Sequence, residues 1–248
     1  MLTTIIKTKN SQDTIPETLE SVKDLGDIIV LDEHSTDDTS LLAKEYKAQI
    51  IYSTATDFPE AFNQALNQAQ NEWILFLEGD EIVPDKLGQY ILNYIEKPKK
   101  NRNALYLPQK LFYLNREIKA YRKYHLKVFK KDSIELINNY SKELKPFKTK
   151  KHKLKLGFKQ DKNCILKFEK RNIFAIFQNI IEQNIIKSKE LNNKKASIFI
   201  KPFLKFLKLY LLKGAILEGR RGLIYSLINA IDCFISQCAR FEYSKKEN

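Results

Sequence analysis

Five consecutive apolar residues, Trp73-Ile74-Leu75-Phe76-Leu77, run straight into Glu78-Gly79-Asp80-Glu81, which places three carboxylates within four positions. A short apolar run without alternation reads as a strand covered on both faces, the condition of a parallel sheet between two layers of helices. In open sheets of that type, ligands sit just beyond the carboxyl ends of the strands. Carboxylates crowded at such an end repel one another unless a positive charge lies between them. The usual candidate is a hard divalent cation with oxygen ligands. A solvated turn carrying surface acids is the simpler alternative.

The residues before this run keep the same grammar. Strands are expected over 2–7, 27–31, 49–52 and 73–77. Helices are expected over 14–25, with Pro16 in the first turn, over 40–46 and over 58–69. In the last of these, Ala61, Phe62, Ala65, Leu66 and Ala69 share one face. Strand–helix alternation with short connections predicts an α/β fold with a doubly wound, mostly parallel sheet. Beyond Lys97 the pattern changes. A turn is expected over 97–103, strands over 104–113 and 124–129, a Lys-rich stretch over 142–162, and helices from Ile173 onward. The expected division is therefore a first domain over 1–165 and a basic, helical region over 166–248.

The charge follows the same division. The 248 residues carry a net charge of +13. Residues 1–96 nevertheless hold 6 Lys, no Arg and 18 Asp or Glu. The acidic part suits a nucleotide and cation site, and the basic remainder suits an anionic surface. Three cysteines, Cys164, Cys233 and Cys238, lack metal-ligand spacing and suit a reducing, cytoplasmic compartment. The residues after Met1 do not read as a charged leader followed by a cleavable apolar segment.

A second acidic strand end follows residue 31, in Asp32-Glu33-His34-Ser35-Thr36-Asp37-Asp38-Thr39. Carboxylates at that position can hydrogen-bond a base or ribose. Ser35, Thr36 and Asp37 would also cap the next helix, a role that leaves Asp32 and Glu33 unexplained. His34 reads as a loop residue. The turn after the first strand, residues 8–13, contains no glycine, and no GxxxxGK[ST] occurs, which argues against dinucleotide and P-loop sites.

Taken in order, these stretches resemble family 2 glycosyltransferases of the inverting, GT-A type. Within that family they are most similar to bacterial lipopolysaccharide or lipooligosaccharide core β-glucosyltransferases. The resemblance rests on Thr4-Ile5-Ile6-Lys7-Thr8-Lys9-Asn10, on Ile15-Pro16-Glu17-Thr18-Leu19-Glu20-Ser21-Val22, and on residues 28–39, which correspond to an "IIVxDxxSTDxT" pattern. It continues through Asn63 to Trp73 and ends on Leu77-Glu78-Gly79-Asp80-Glu81, where the family has "LDADE". Two departures stand out: Glu78 replaces the first Asp of the metal motif, and His34 replaces a Gly, so that the backbone there is expected to differ. A weaker likeness covers residues 201–222.

The resemblance implies roles for several residues. Asp32 and Glu33 would bind uracil and ribose, with Thr8 lining the nucleotide pocket. Asp80, helped by Glu78, would hold Mg²⁺ or Mn²⁺ against the diphosphate of a UDP-sugar and act in catalysis. A base must deprotonate the acceptor hydroxyl. Asp132, Glu135 and Glu143 are the candidates, and Glu143 is favoured. The implied reaction moves a hexose, glucose for preference, from UDP-sugar to a lipopolysaccharide core or other lipid-linked saccharide. The alternatives are a capsule or glycoprotein glycosyltransferase, or a degenerate membrane-surface binding protein without catalysis.

In the basic region, residues 198–217 read as one amphipathic helix. Lys201, Lys205 and Lys208 lie on one face, opposite Phe and Leu, which is suited to lying in the plane of an anionic membrane surface. Lysines inside the segment argue against a span. Together with the resemblance, this implies a cytoplasmic chain held peripherally at the inner face of a bacterial inner membrane. A helix over 222–239 would pack beside it or form a homodimer contact. Arg220 and Arg221 match phosphate geometry and could meet donor phosphate or an acidic lipid, although solvation is the simpler reading. No nucleic-acid-binding module accompanies the basic segments, so no nucleic-acid partner is expected.

Overall fold

The computed structural model describes residues 1–53, 58–97, 103–136, 144–146, 152–153, 161–170, 173–188 and 198–246. The N-terminal elements are β1 (Leu2–Thr8), α1 (Ile15–Glu20), β2 (Gly26–Asp32), α2 (Thr39–Glu45), β3 (Gln49–Tyr52), α3 (Phe58–Gln68) and β4 (Trp73–Glu78). Then come β5 (Glu81–Ile82), α4 (Asp85–Glu96), β6 (Ala104–Tyr113), β7 (Arg116–Glu117), β8 (Lys123–Lys130), β9 (Ile134–Leu136), β10 (Leu144–Pro146), β11 (His152–Lys153) and β12 (Ile165–Glu169). The helices α5 (Ile173–Ser188), α6 (Ile200–Leu207) and α7 (Gly219–Lys246) follow. Two compact units result. One comprises residues 1–112 with 122–169, and the other residues 113–121 with 170–248. The division thus falls after Glu169 rather than after residue 165, because β12 pairs within the first unit's sheet.

That sheet runs β3-β2-β1-β4-β8-β6-β12-β5. The first four strands are mutually parallel, whereas β8 is antiparallel to β4 and to β6. The run 73–77 is buried throughout, as a strand with two covered faces must be. Alternate residues feed two cores. Ile6, Val30, Leu75 and Leu77 pack with Leu19 of α1 and Leu87 and Ile91 of α4. Ile5, Leu31, Ile74 and Phe76 pack with Phe58 and Phe62 of α3. Helix α1 stops at Glu20, short of the expected 25. The chain must reverse within 21–25, which the bonds Val22 N to Leu19 O (3.1 Å) and Leu25 N to Val22 O (3.0 Å) accomplish, to set Gly26 opposite Leu2.

In the second unit the expected single helix over 198–217 does not form. Helix α6 passes into a π-turn over Lys208–Leu212 and ends at Gly214, whose φ of +74° lies in the left-handed region open to glycine. A 3₁₀ turn over Ala215–Glu218 leads into α7, which runs well past both ends of the expected 222–239. Two of the three lysines reach α7: Lys205 pairs with Asp232 at 3.1 Å and Lys201 reaches Gln237 at 3.4 Å, whereas Lys208 is exposed. The apolar face is uncovered, with Phe199 76%, Phe203 61%, Leu212 84% and Leu217 89% exposed. Among the described residues, one stretch, Ala215–Glu242, is long and apolar enough to cross a membrane.

Candidate active site

Three strand ends meet in a row. In the sheet register Thr8 lies opposite Asp32, and Lys7 lies opposite Glu78, so the acidic turns after β2 and β4 flank the end of β1. The turn after β4 sits directly on β1. Gly79 donates its N–H to Lys7 O (2.9 Å), and its carbonyl accepts from Thr14 Oγ1 (2.7 Å). A Cβ at position 79 would lie 2.6 Å from Thr8 Oγ1, so the close approach needs a glycine where the resembling family has alanine. Thr8 is correspondingly buried against the turn.

Asp32 organises the loop after β2. Its carboxylate is fully buried and accepts from Ser35 N (2.9 Å), Ser35 Oγ (2.6 Å) and Ser40 Oγ. Three donors on one carboxylate fix the loop as a rigid rim. Of the expected caps, Asp37 accepts the N–H of Thr39, the first residue of α2, through Oδ1 at 3.1 Å, while the N-cap residue Asp38 makes no side-chain cap bond. Ser35 Oγ and Asp37 Oδ2 accept from the N–H groups of Asn10 (2.9 Å) and Gln12 (3.1 Å), and Thr36 donates its N–H to Asn10 Oδ1 (2.8 Å). These bonds lace the β1 and β2 loops together. Glu33 is buried and donates its N–H to Thr8 O at 2.9 Å. His34 has φ +52°, a left-handed conformation that a glycine takes without strain and a histidine takes at a cost. Its ring stacks on exposed Tyr52 with centroids 5.8 Å apart, which gives the rim a flat aromatic flank.

The three carboxylates after β4 meet lysines from distant strands. Glu81 is buried and accepts from Lys127 Nζ (2.5 Å), Gln109 Nε2 and the N–H of Glu78 (3.0 Å). It is a structural tie between β4, β6 and β8. Glu78 pairs with Lys167 of β12, whose Nζ also lies 3.1 Å from Asp80 Oδ1. The Lys167 ammonium, with help from Lys7 and Lys127, holds the Glu78 carboxyl well below the usual carboxylate range against the effect of burial. Burial pushes Asp80 up to about 6. Lys167 opposes that rise, and the neighbouring Glu78, Glu81 and Glu169 add to it. Burial alone would lower Lys167, but Asp80, Glu78 and Glu81 hold its ammonium well above the usual lysine value.

This arrangement bears on the expected metal pair. A divalent ion shared by Glu78 and Asp80 would need the place and the charge that Lys167 supplies. As these side chains stand, they do not fit it.

The remaining candidates separate. Asp132 is exposed in a 3₁₀ turn over Lys131–Ser133. Glu143, the favoured base, lies outside the described residues. Arg220 is exposed in the first turn of α7, in the second unit. Sequence reasoning did not single out Lys127, Gln109 or Lys167, each one polar residue among several on its strand, with no spacing that ties it to the acidic turn. His125 on β8 is pushed down to about 4, chiefly by burial and then by Lys127, so its imidazole is neutral at pH 7.

The family model for glycosyl transferase family 2 matches residues 3–151, the span that holds both acidic strand ends. The chain belongs to this family. Among curated proteins it is 40% identical over 75 residues to a TPR repeat-containing protein of Synechococcus elongatus, covering 29% of this chain and 19% of that protein. It is 34% identical over 91 residues to an uncharacterized glycosyltransferase of Rickettsia prowazekii, covering 36% of this chain and 31% of that one. The chain thus spans a third or less of the length of either relative. Among solved structures, TarS 1-349 of S. aureus in complex with UDP superposes with a TM-score of 0.50 at 15% identity, over 99% of this chain and 92% of that one. The likeness is one of fold, a mixed α/β architecture with a parallel-dominant sheet of the GT-A kind.

Proposed function

We propose that this family 2 glycosyltransferase is an inverting hexosyltransferase that uses a UDP-sugar donor and a lipid-linked saccharide acceptor. The observation that carries the reading is the row of β1, β2 and β4 ends, where the laced Asp32 loop and the Glu78–Asp80 turn flank Thr8. The Asp32 rim and the His34–Tyr52 stack suit a pyrimidine and its ribose, and the Glu78–Asp80–Lys167 turn suits the diphosphate. TarS holds UDP in its solved complex, which is consistent with this assignment. In the reaction an acceptor hydroxyl oxygen bonds to the anomeric carbon while the bond from that carbon to the β-phosphate oxygen breaks. The electron pair departs with UDP, and the hydroxyl proton passes to a carboxylate base, for which Glu143 is the candidate the resemblance supports. Glucose as the sugar and a lipopolysaccharide core as the acceptor rest on the same resemblance. A screen of UDP-sugars is expected to show UDP release from one hexose donor above the others. Silence across all donors would overturn the reading.

The lipid-linked acceptor is supported by the uncovered apolar face of the second unit, bordered by exposed Lys208, Lys213 and Arg220. Apolar burial combined with nearby basic residues favours an anionic membrane surface at the inner face of a bacterial inner membrane. The full chain is expected to float with phosphatidylglycerol vesicles and to lose most of that binding in Phe203→Asp/Leu212→Asp. A chain that stays unbound at low salt would contradict the membrane assignment.

A further inference from the structure

The acidic turn after β4 is where a divalent ion is expected, yet a lysine is built into it. Lys167 is not a surface lysine that has swung inward. Its strand β12 pairs antiparallel with β5, with Lys167 opposite Glu81, and the next residue, Phe168, donates its N–H to Asp80 O at 2.9 Å. The backbone on both sides of the acidic turn therefore fixes where the Lys167 side chain starts. Its side chain is only 16% exposed, and its ammonium bonds Glu78 and lies 3.1 Å from Asp80 Oδ1.

Charge balance at the turn is already met by this chain. Glu78, Asp80 and Glu81 are faced by Lys7, Lys127 and Lys167, and Glu169 adds only a weaker repulsion at Asp80. The repulsion that would otherwise recruit a cation is therefore largely offset. A lysine ammonium also has three N–H donors. Glu78 takes one, and the contact with Asp80 Oδ1 is outside hydrogen-bond alignment, which leaves that buried oxygen without a hydrogen bond. The Glu78 side chain is 45% exposed, so the Lys–Glu pair opens to solvent on that side.

We infer that Lys167 takes the place of a divalent ion at the donor diphosphate, and that this transferase binds UDP without metal. The inference rests on the proposed donor site. When the bond from the anomeric carbon to the β-phosphate oxygen breaks, the charge carried off by UDP is met by an ammonium fixed in the strand. Lysine binds phosphate as a point charge, so it can do this without the bidentate geometry of arginine.

The test titrates UDP onto the full chain in EDTA and again with Mn²⁺, and titrates Mn²⁺ alone. Wild type is expected to bind UDP in EDTA with an affinity that Mn²⁺ changes by less than about twofold, and to bind Mn²⁺ alone weakly or not at all. Lys167→Met should weaken UDP binding in EDTA by at least about tenfold, the loss expected for one charge-assisted hydrogen bond. It should also gain Mn²⁺ binding, because two carboxylates are released. Lys167→Arg, which keeps the charge, should retain most of the UDP affinity. UDP binding that requires Mn²⁺ in wild type would overturn the inference and leave the transferase reading intact; this arm needs no variant to fold. UDP binding in EDTA that is indifferent to Lys167→Met would also overturn it. Absence of UDP binding in both conditions would overturn the inference together with the donor site on which it rests.

Discussion

Lys127→Met lowers the stability of the chain by about 3–5 kcal/mol, the cost of leaving a buried carboxylate without its cation. Glu81 and Lys127 are 2% and 7% exposed in their side chains and 2.5 Å apart, so solvent cannot replace the lost partner. The double variant Glu81→Met/Lys127→Met should recover much of that loss, since no unpaired charge stays buried. It does not recover all of it, because the Glu78 N–H and the Gln109 amide lose their acceptor. Urea denaturation of the three proteins measures both effects. A Lys127→Met protein as stable as wild type would mean that the pair does not hold the β4, β6 and β8 strands together.

Asp32→Ala is expected to reduce UDP affinity by about a hundredfold or more. A hydrogen bond to a charged group contributes roughly 1.5–3 kcal/mol, and each 1.4 kcal/mol is a factor of ten. The Asp32 carboxylate takes three such bonds, from Ser35 N, Ser35 Oγ and Ser40 Oγ, and the rim loses its shape when they go. Ser40→Ala removes one donor and should cost far less. Asp32→Asn, which keeps one acceptor oxygen, should fall between the two. Calorimetric titration separates the three variants, and equal affinities across them would show that the loop does not form the nucleotide rim.

The strand ends were legible because they are local. The apolar run 73–77 and the acids after it are contiguous, and alternation through residue 77 leaves a parallel sheet as the economical solution. Asp32 stood out for the same reason. Helix α4 was also within reach, since Leu87, Ile91 and Ile95 repeat at helical spacing, but it follows the acidic turn without a side-chain cap to mark its start. The lysines were not legible. Lys127 and Lys167 each lie in a short strand among many lysines, and no sequence spacing connects them to residues 78–81. Pairing between β12 and β5 brings Lys167 to Asp80 and Glu78, and Lys167 lies beyond the residues 3–151 that the family model matches. The amphipathic reading of 198–217 distinguished a lysine face from an apolar face but missed the break at Gly214 and the contacts of Lys201 and Lys205 with α7. Periodicity shows that two faces exist, whereas Asp232 and Gln237 on α7 decide which face is covered.

Direct titration of UDP onto the wild-type chain tests the central claim. The β1, β2 and β4 ends predict one saturable site per chain, with ADP and GDP binding measurably more weakly. No UDP binding at millimolar nucleotide, or equal binding of all three nucleotides, would contradict a sugar-nucleotide site at these strand ends.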